Sequence, residues 1–184
     1  MKIIMLKNAT VKMESASMNL QQLTRTGLLL ALMLLFQSLR LLLPLPPFAS
    51  VFVIGSLVNA CLLLAVEFCG WRPALLPALI APLAAYLQQM LPLPVFILPV
   101  AAANAAYVLG YAALAGRCRP LAVAVATAAK FIIVYFVVAW LTGYVDLPQA
   151  VASRLAMLLG WPQLITGIAG GGLCYVVRKR NVSR

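Results

Sequence analysis

Six stretches of this chain stay apolar over about 20 residues, the length a helix needs to cross the hydrocarbon core of a bilayer. They run over residues 24–44, 50–70, 73–91, 94–116, 120–143 and 156–177. The breaks between them have physical causes. Pro44, Pro46 and Pro47 end the first stretch, because proline lacks the N–H that continues a helix. Gly70-Trp71-Arg72-Pro73, Leu91-Pro92-Leu93-Pro94 and Arg117-Cys118-Arg119-Pro120 divide the next three pairs, and the longest link, near Tyr144 to Leu155, joins the fifth to the sixth. The pattern predicts an all-α, polytopic membrane protein, a bundle of six transmembrane helices with no second domain. Its parts are an N-terminal tail over 1–22, the membrane domain over 23–178 and a basic tail over 179–184. Met18 to Leu23 is expected to begin a short interfacial helix, and the tail carries no apolar run with a small-residue cleavage site, so it does not read as a secretory signal.

Composition decides between lipid and water as the surroundings. Hydrophobic residues make up 65% of the 184, and charged residues 9%. Too little polar surface remains to cover a water-soluble particle. Fourteen Lys and Arg against three acids give a net charge of +11, which in a soluble protein suggests nucleic acid. Here the basic residues fall mostly between the apolar stretches, so the expectation is no nucleic-acid partner but the positive-inside rule. With the N-terminus inside, the cytoplasmic side holds Lys2, Lys7, Lys12, Arg25, Arg72, Arg117, Arg119, Arg178, Lys179, Arg180 and Arg184; the outer side holds Arg40 and Arg154. Both termini are therefore expected in the cytoplasm.

Catalytic equipment is scarce. There is no His, no G-x-x-x-x-G-K-[ST] phosphate loop, no H-E-x-x-H and no G-x-S-x-G. Glu14, Glu67 and Asp146 are too scattered to form a carboxylate pair at mid-membrane. Cys61, Cys69, Cys118 and Cys174 include no C-x-x-C pair and read as free thiols packed as small apolar residues. The expectation is no enzyme, no metal and no cofactor.

Lys130 stands out. It lies ten positions after Pro120, so at the helical rise it is about 15 Å into the membrane. An ammonium there costs about 3 kcal/mol on insertion scales and faces a cavity or a polar partner. It is a candidate contact for an anionic or polar solute; the competing reading ties it to Asn104 or to carbonyls freed by the prolines of bent helices. Asn104 and Asn59 lie at comparable depth, and each serves either a ligand or the joining of helices. Pro77, Pro82 and Pro99 suggest bends around a cavity, or kinks needed for packing. Gln88 and Gln89 beside Tyr86, and Trp161 with Gln163, line one outward-facing pocket with Arg40, or else form an interfacial belt. Gly27 and Ala31 share one face of the first span, while Gly167, Gly170, Gly171 and Gly172 mark the sixth; such small faces dock a partner subunit or pack the bundle.

Taken together the chain resembles the substrate-binding S components of energy-coupling factor (ECF) transporters, over about Leu23 to Arg180. The runs that carry the resemblance are Gly27-Leu28-Leu29-Leu30-Ala31, Ile54-Gly55-Ser56-Leu57-Val58-Asn59-Ala60, Ala129-Lys130-Phe131 and Trp161-Pro162-Gln163-Leu164-Ile165-Thr166. It is closest to small S components whose substrate is not assigned. The resemblance implies a micronutrient or vitamin importer of the bacterial plasma membrane, whose partners are a transmembrane T component and two ABC-type ATPases. It also implies that Gly27 and Ala31 stand where family members carry an A-x-x-x-A face that meets the T component; glycine at the first place is a departure. Substrate is expected in an outward cavity, followed by toppling of the subunit in the membrane. The family's ligand residues differ among substrates, so the candidates remain Lys130, Asn104, Gln163, Gln88, Arg40 and Asn59, and their basic character favours a carboxylate, phosphate or electron-rich ring. Two other functions remain open, a structural or assembly protein and a solitary secondary carrier. In the former, Lys130, Asn59 and Asn104 bond to one another and leave no outward cavity.

Overall fold

The structure, a computed structural model, describes residues 20–42, 46–143 and 148–182. Most of the N-terminal tail, Pro44, Asp146, Arg184 and the side chain of Arg154 lie outside the described residues. All described elements are helical: α1 (Leu20–Leu42), α2 (Pro47–Cys69), α3 (Trp71–Leu87), a 3-10 turn (Pro94–Phe96), α4 (Ile97–Leu114), α5 (Arg119–Thr142), α6 (Gln149–Leu159) and α7 (Pro162–Val182). Among the described residues four segments are long and apolar enough to cross a membrane: Leu20–Leu42, Phe48–Cys69, Pro94–Leu114 and Arg119–Leu141.

Prolines punctuate the chain as their chemistry requires. Pro47, Pro94, Pro120 and Pro162 each stand in the first turn of a helix, where the missing N–H has no partner to lose. At the α2–α3 junction Gly70 has φ +92, a conformation that L side chains rarely adopt. It reverses the chain between two helices with a single residue, which is why the predicted break falls there.

Three expectations are corrected. The third apolar stretch, 73–91, is helical only to Leu87; two internal prolines and a turn with Gln89 at φ 58 leave a 17-residue helix, shorter than an ordinary span. The sixth stretch, 156–177, is not one helix. The chain breaks at Gly160–Trp161, so residues before it belong to α6 and those after it to α7. Pro162 starts α7 and cannot carry the helix of α6 through that point. Finally, of the stretch expected to begin a short interfacial helix Met18 lies outside the described residues, and Leu20–Leu23 run on into α1 without interruption.

Packing makes one bundle. α2 touches α1, α3, α4 and α7; α4 lies between α3 and α5, and α5 reaches α7 and α6. The polarity is inverted relative to a water-soluble protein. Leu28, Leu35, Leu79, Leu98, Ile132 and Phe136 are exposed on the outside, while Gln37, Asn59, Asn104, Thr127, Lys130 and Thr166 are buried. Apolar groups facing out and amides facing in suit a solvent of hydrocarbon. Two apolar clusters fill the interior. One gathers Met33, Leu62, Leu63, Ala78, Tyr107 and Ala126; the other gathers Phe96, Ala103, Val134, Val138, Leu155 and Leu159. Along α4 and α5 they are divided at Asn104 and Lys130. Cys61, Cys69 and Cys174 are buried as expected for small apolar residues, whereas Cys118 is exposed at the start of α5.

One end of the bundle is tied by an acid. Glu67 of α2 accepts hydrogen bonds from the Tyr111 hydroxyl of α4 (2.6 Å) and Nε of Arg119 of α5 (3.4 Å) through Oε1, and its Oε2 forms an ion pair with Nε of Arg178 of α7 (2.7 Å). Four helices meet on one carboxylate. The Arg119 contact is long and its side chain 39% exposed, so it adds little. The other two are short bonds to a mostly buried acceptor. Glu67→Gln is expected to lower stability by about 1–3 kcal/mol, and Arg119→Gln by less than about 1 kcal/mol. Unfolding followed in mild detergent measures both; equal effects would mean that Arg119, not Arg178 and Tyr111, holds that end.

Candidate functional site

Away from Glu67 the helices enclose a partly open cavity of about 140 Å³. Lys130, Asn104, Asn59, Gln88, Gln163 and Arg40 all line it, and they come from α1, α2, α4, α5, α7 and the turn after α3. The bundle thus brings all six sequence candidates to one place. Val51, Ile54, Pro82, Ala85, Val100 and Leu159 supply apolar wall between them.

Lys130 sits midway along α5 and is 6% exposed. Its Nζ donates to Oδ1 of Asn59 at 2.6 Å and lies 5.3 Å from the centre of the Tyr107 ring, within cation–π range. Asn59 in turn donates from Nδ2 to Oγ1 of Thr166 at 3.3 Å. The ammonium is therefore positioned by neutral groups: an amide oxygen on one side and a ring face on another. Among the described residues that line the cavity there is no acid. The expected alternative tie to Asn104 does not form.

Asn104 has a different task, set by a proline. Pro82 has no N–H to give the carbonyl of Ala78, four residues earlier in α3. Nδ2 of Asn104 donates to that carbonyl at 3.3 Å and so replaces the missing helical bond. The proline in α3 and the amide in α4 explain each other. Asn104 is also one of the residues that line the cavity.

At the rim, Arg40 ends α1 and donates from Nε to Oγ of Ser50, in the first turn of α2, at 2.8 Å. Gln88 reaches back from the end of α3, its Nε2 donating to Oγ of Ser38 at 3.3 Å. Gln163, in the first turn of α7, is half-buried. Tyr86 and Gln89, from the same expected belt, are not among the lining residues, and neither is Trp161. Trp161 instead packs with Phe48 and Phe52 in an aromatic cluster, its ring 5.6 Å from that of Phe52.

Gln37 was not anticipated, and it is the most informative residue of the cavity. It lies one turn before Arg40 on α1 and is 8% exposed. Its Nε2 donates to the carbonyl of Ala81 at 3.0 Å, while its Oε1 is buried without a hydrogen-bond partner. A carbonyl only accepts, so the amide cannot be turned the other way round without losing the bond to Ala81. An unpaired buried acceptor costs about 1–3 kcal/mol. The sequence carried a signal for it: an amide in an apolar run, three residues from Arg40 and so on the same helical face.

The small-residue faces divide. Gly167, Gly170 and Gly171 pack inside the bundle, against Thr127, Asn59 and Val123. Gly27 and Ala31 are exposed on the outer surface of α1, and a Cβ at Gly27 would meet nothing within 4 Å.

No protein-family model matches the chain, and no curated protein or solved structure matches it.

Proposed function

We propose that this chain is the membrane-embedded, solute-binding subunit of an ATP-driven importer of the energy-coupling factor kind. It spans the plasma membrane of a bacterium six times, with α3 and α7 as the two shorter or more polar passages and both termini in the cytoplasm. Six passages return the chain to its starting side, and the excess of Lys and Arg at the Glu67 end favours that end as the inner one. The cavity then opens toward the outer side and takes up a micronutrient-like small molecule. A separate T component and two ATPases drive its release inside. The exposed face of Gly27 and Ala31 on α1 is the contact for the T component, since two small residues four apart allow a second helix to approach closely.

One observation carries this reading: a cavity inside a lipid-facing bundle collects two cations and five amides from across the fold. Binding pockets have that form, apolar walls with a few converging polar groups. The lack of a phosphate loop fits a subunit that leaves ATP to its partners.

A structural role has one specific observation in its favour, the direct bond between Lys130 and Asn59. That reading leaves the cavity and the orphan oxygen of Gln37 without a purpose. The discriminating experiment is purification of the tagged protein from its native membrane in mild detergent, with mass spectrometry of what accompanies it. The expected companions are two ABC-type ATPases and one further polytopic membrane protein. They are expected to be lost on Ala31→Trp while the bait remains folded. Their absence from well-folded, abundant wild-type bait would count against an energy-coupled importer and in favour of a structural protein or solitary carrier.

A further inference from the structure

The cavity is specific about what it lacks. Among the described residues Glu67 is the only acid, and it is already engaged by Arg119, Arg178 and Tyr111 at the other end of the bundle. Among the described residues the cavity therefore presents Arg40 and Lys130 with no carboxylate. Arg40 uses Nε on Ser50, which leaves the terminal nitrogens of its guanidinium as further donors. Lys130 has three N–H bonds and gives one of them to Asn59. Opposite in kind is Gln37, whose Nε2 is held by Ala81 and whose buried Oε1 waits for a donor. Two sources of positive charge and a side chain with an orphan acceptor thus line a single cavity.

Its size sets a further limit. A cavity of about 140 Å³ is close to the engineered apolar cavity of about 150 Å³ that accepts a benzene molecule. A volume of that order suits a single ring against the apolar wall of Ile54, Pro82, Val100 and Leu159.

We propose that the solute held by this cavity is a single-ring anion that also carries an N–H or O–H donor, the anionic group answering Arg40 and Lys130 and the donor answering Oε1 of Gln37. This rests on the solute-binding reading above and narrows it to a chemical class. A water molecule satisfies the amide but leaves the buried ammonium without a counter-charge. A cation satisfies neither Arg40 nor Lys130. An anion with no donor leaves the Gln37 oxygen unpaired.

The test uses the full chain purified in mild detergent, with thermal unfolding followed in the presence of ring-sized probes. These are 3- and 4-aminobenzoate, benzoate, benzamide and benzylammonium, each at millimolar concentration. A ligand that binds only the folded state raises the midpoint. At least one aminobenzoate is expected to raise it by on the order of 3 °C. Benzoate is expected to raise it less, and benzamide and benzylammonium not at all. In Gln37→Met the aminobenzoate is expected to lose its advantage over benzoate, while the benzoate shift remains. The proposal is overturned if benzylammonium or benzamide stabilises as well as benzoate, if no benzoate shifts the midpoint, or if the amino group's advantage survives in Gln37→Met. The co-purification experiment fails independently. ATPases present without anion binding would leave an importer for another class of solute, whereas anion binding without ATPases would leave the cavity chemistry and remove the importer.

Discussion

Replacing Lys130 by Met is expected to abolish solute binding while leaving the fold close to its original stability. The two effects have different origins. In the proposed complex the ammonium meets an anion in a desolvated site, and removing one partner of such a pair costs about 2–5 kcal/mol, roughly 30- to 4,000-fold in affinity. In the empty protein the same ammonium is 6% exposed and has only an amide oxygen and a ring face for company. Methionine relieves the burial of a charge, worth about 3 kcal/mol on insertion scales, and leaves Oδ1 of Asn59 unpaired, which costs about 1–3 kcal/mol. These nearly cancel. The double variant Lys130→Met/Asn59→Leu removes both members of the bond and is expected to be at least as stable as the single one, since deleting both partners avoids the orphan. Binding measured by calorimetry and unfolding measured on the same preparations separate the roles. A Lys130→Met protein that unfolds several degrees earlier yet binds solute normally would make Lys130 a structural strut.

The second large effect is expected from Gly170→Val, and it is one of stability. A Cβ at position 170 would lie 2.6 Å from Cβ of Asn59, 2.9 Å from the amide nitrogen of Ala60 and 3.0 Å from the carbonyl carbon of Asn59. Two of those atoms are backbone of α2, so no rotamer change relieves the clash and the two helices must separate. Overpacking of this sort costs about 1–3 kcal/mol for ordinary insertions and more when the obstacle is backbone, so at least about 3 kcal/mol is expected here. Two positions on, Gly172 has nothing within 4 Å of its virtual Cβ. Gly172→Val is expected to change stability by less than about 1 kcal/mol. The contrast also reaches the site, because Asn59 is the partner of Lys130. Gly170→Val is therefore expected to weaken solute binding as well, where Gly172→Val leaves it unchanged. Similar unfolding of the two variants would show that α2 and α7 do not approach as closely as described.

Much of the architecture was legible in the residues because hydrocarbon tolerates few solutions. Backbone groups must pair within each segment, so long apolar runs become helices, and proline and glycine decide where they stop. The ends of α1, α2 and α5 fall within a few residues of the expected ones for that reason. The break at Gly160–Trp161 was less visible. An apolar run was continuous across it, and hydropathy does not register a change of helix direction inside a run. The 17-residue length of α3 was hidden in the same way by the apolar Leu91-Pro92-Leu93 that follows it.

The candidate site divides along a similar line. Burying Lys130, Asn59 and Asn104 in a lipid-facing chain obliges each of them to find a polar neighbour, and that obligation is written in the sequence. Which neighbour each one finds is not. Lys130 takes Asn59 across α5 and α2, while Asn104 is drawn to the Ala78 carbonyl that Pro82 releases. Both choices depend on how the helices are rotated and how far apart they stand. Glycines at 167, 170 and 171 set that distance by letting α7 lie against α2 and α5. The sequence by itself determined a helical chain with segments apolar enough to cross a membrane and a few polar residues set within them. Only the tertiary structure gathered those residues around one cavity and left the oxygen of Gln37 unpaired within it, because the pairing of side chains from distant helices is set by their packing and not by any local pattern.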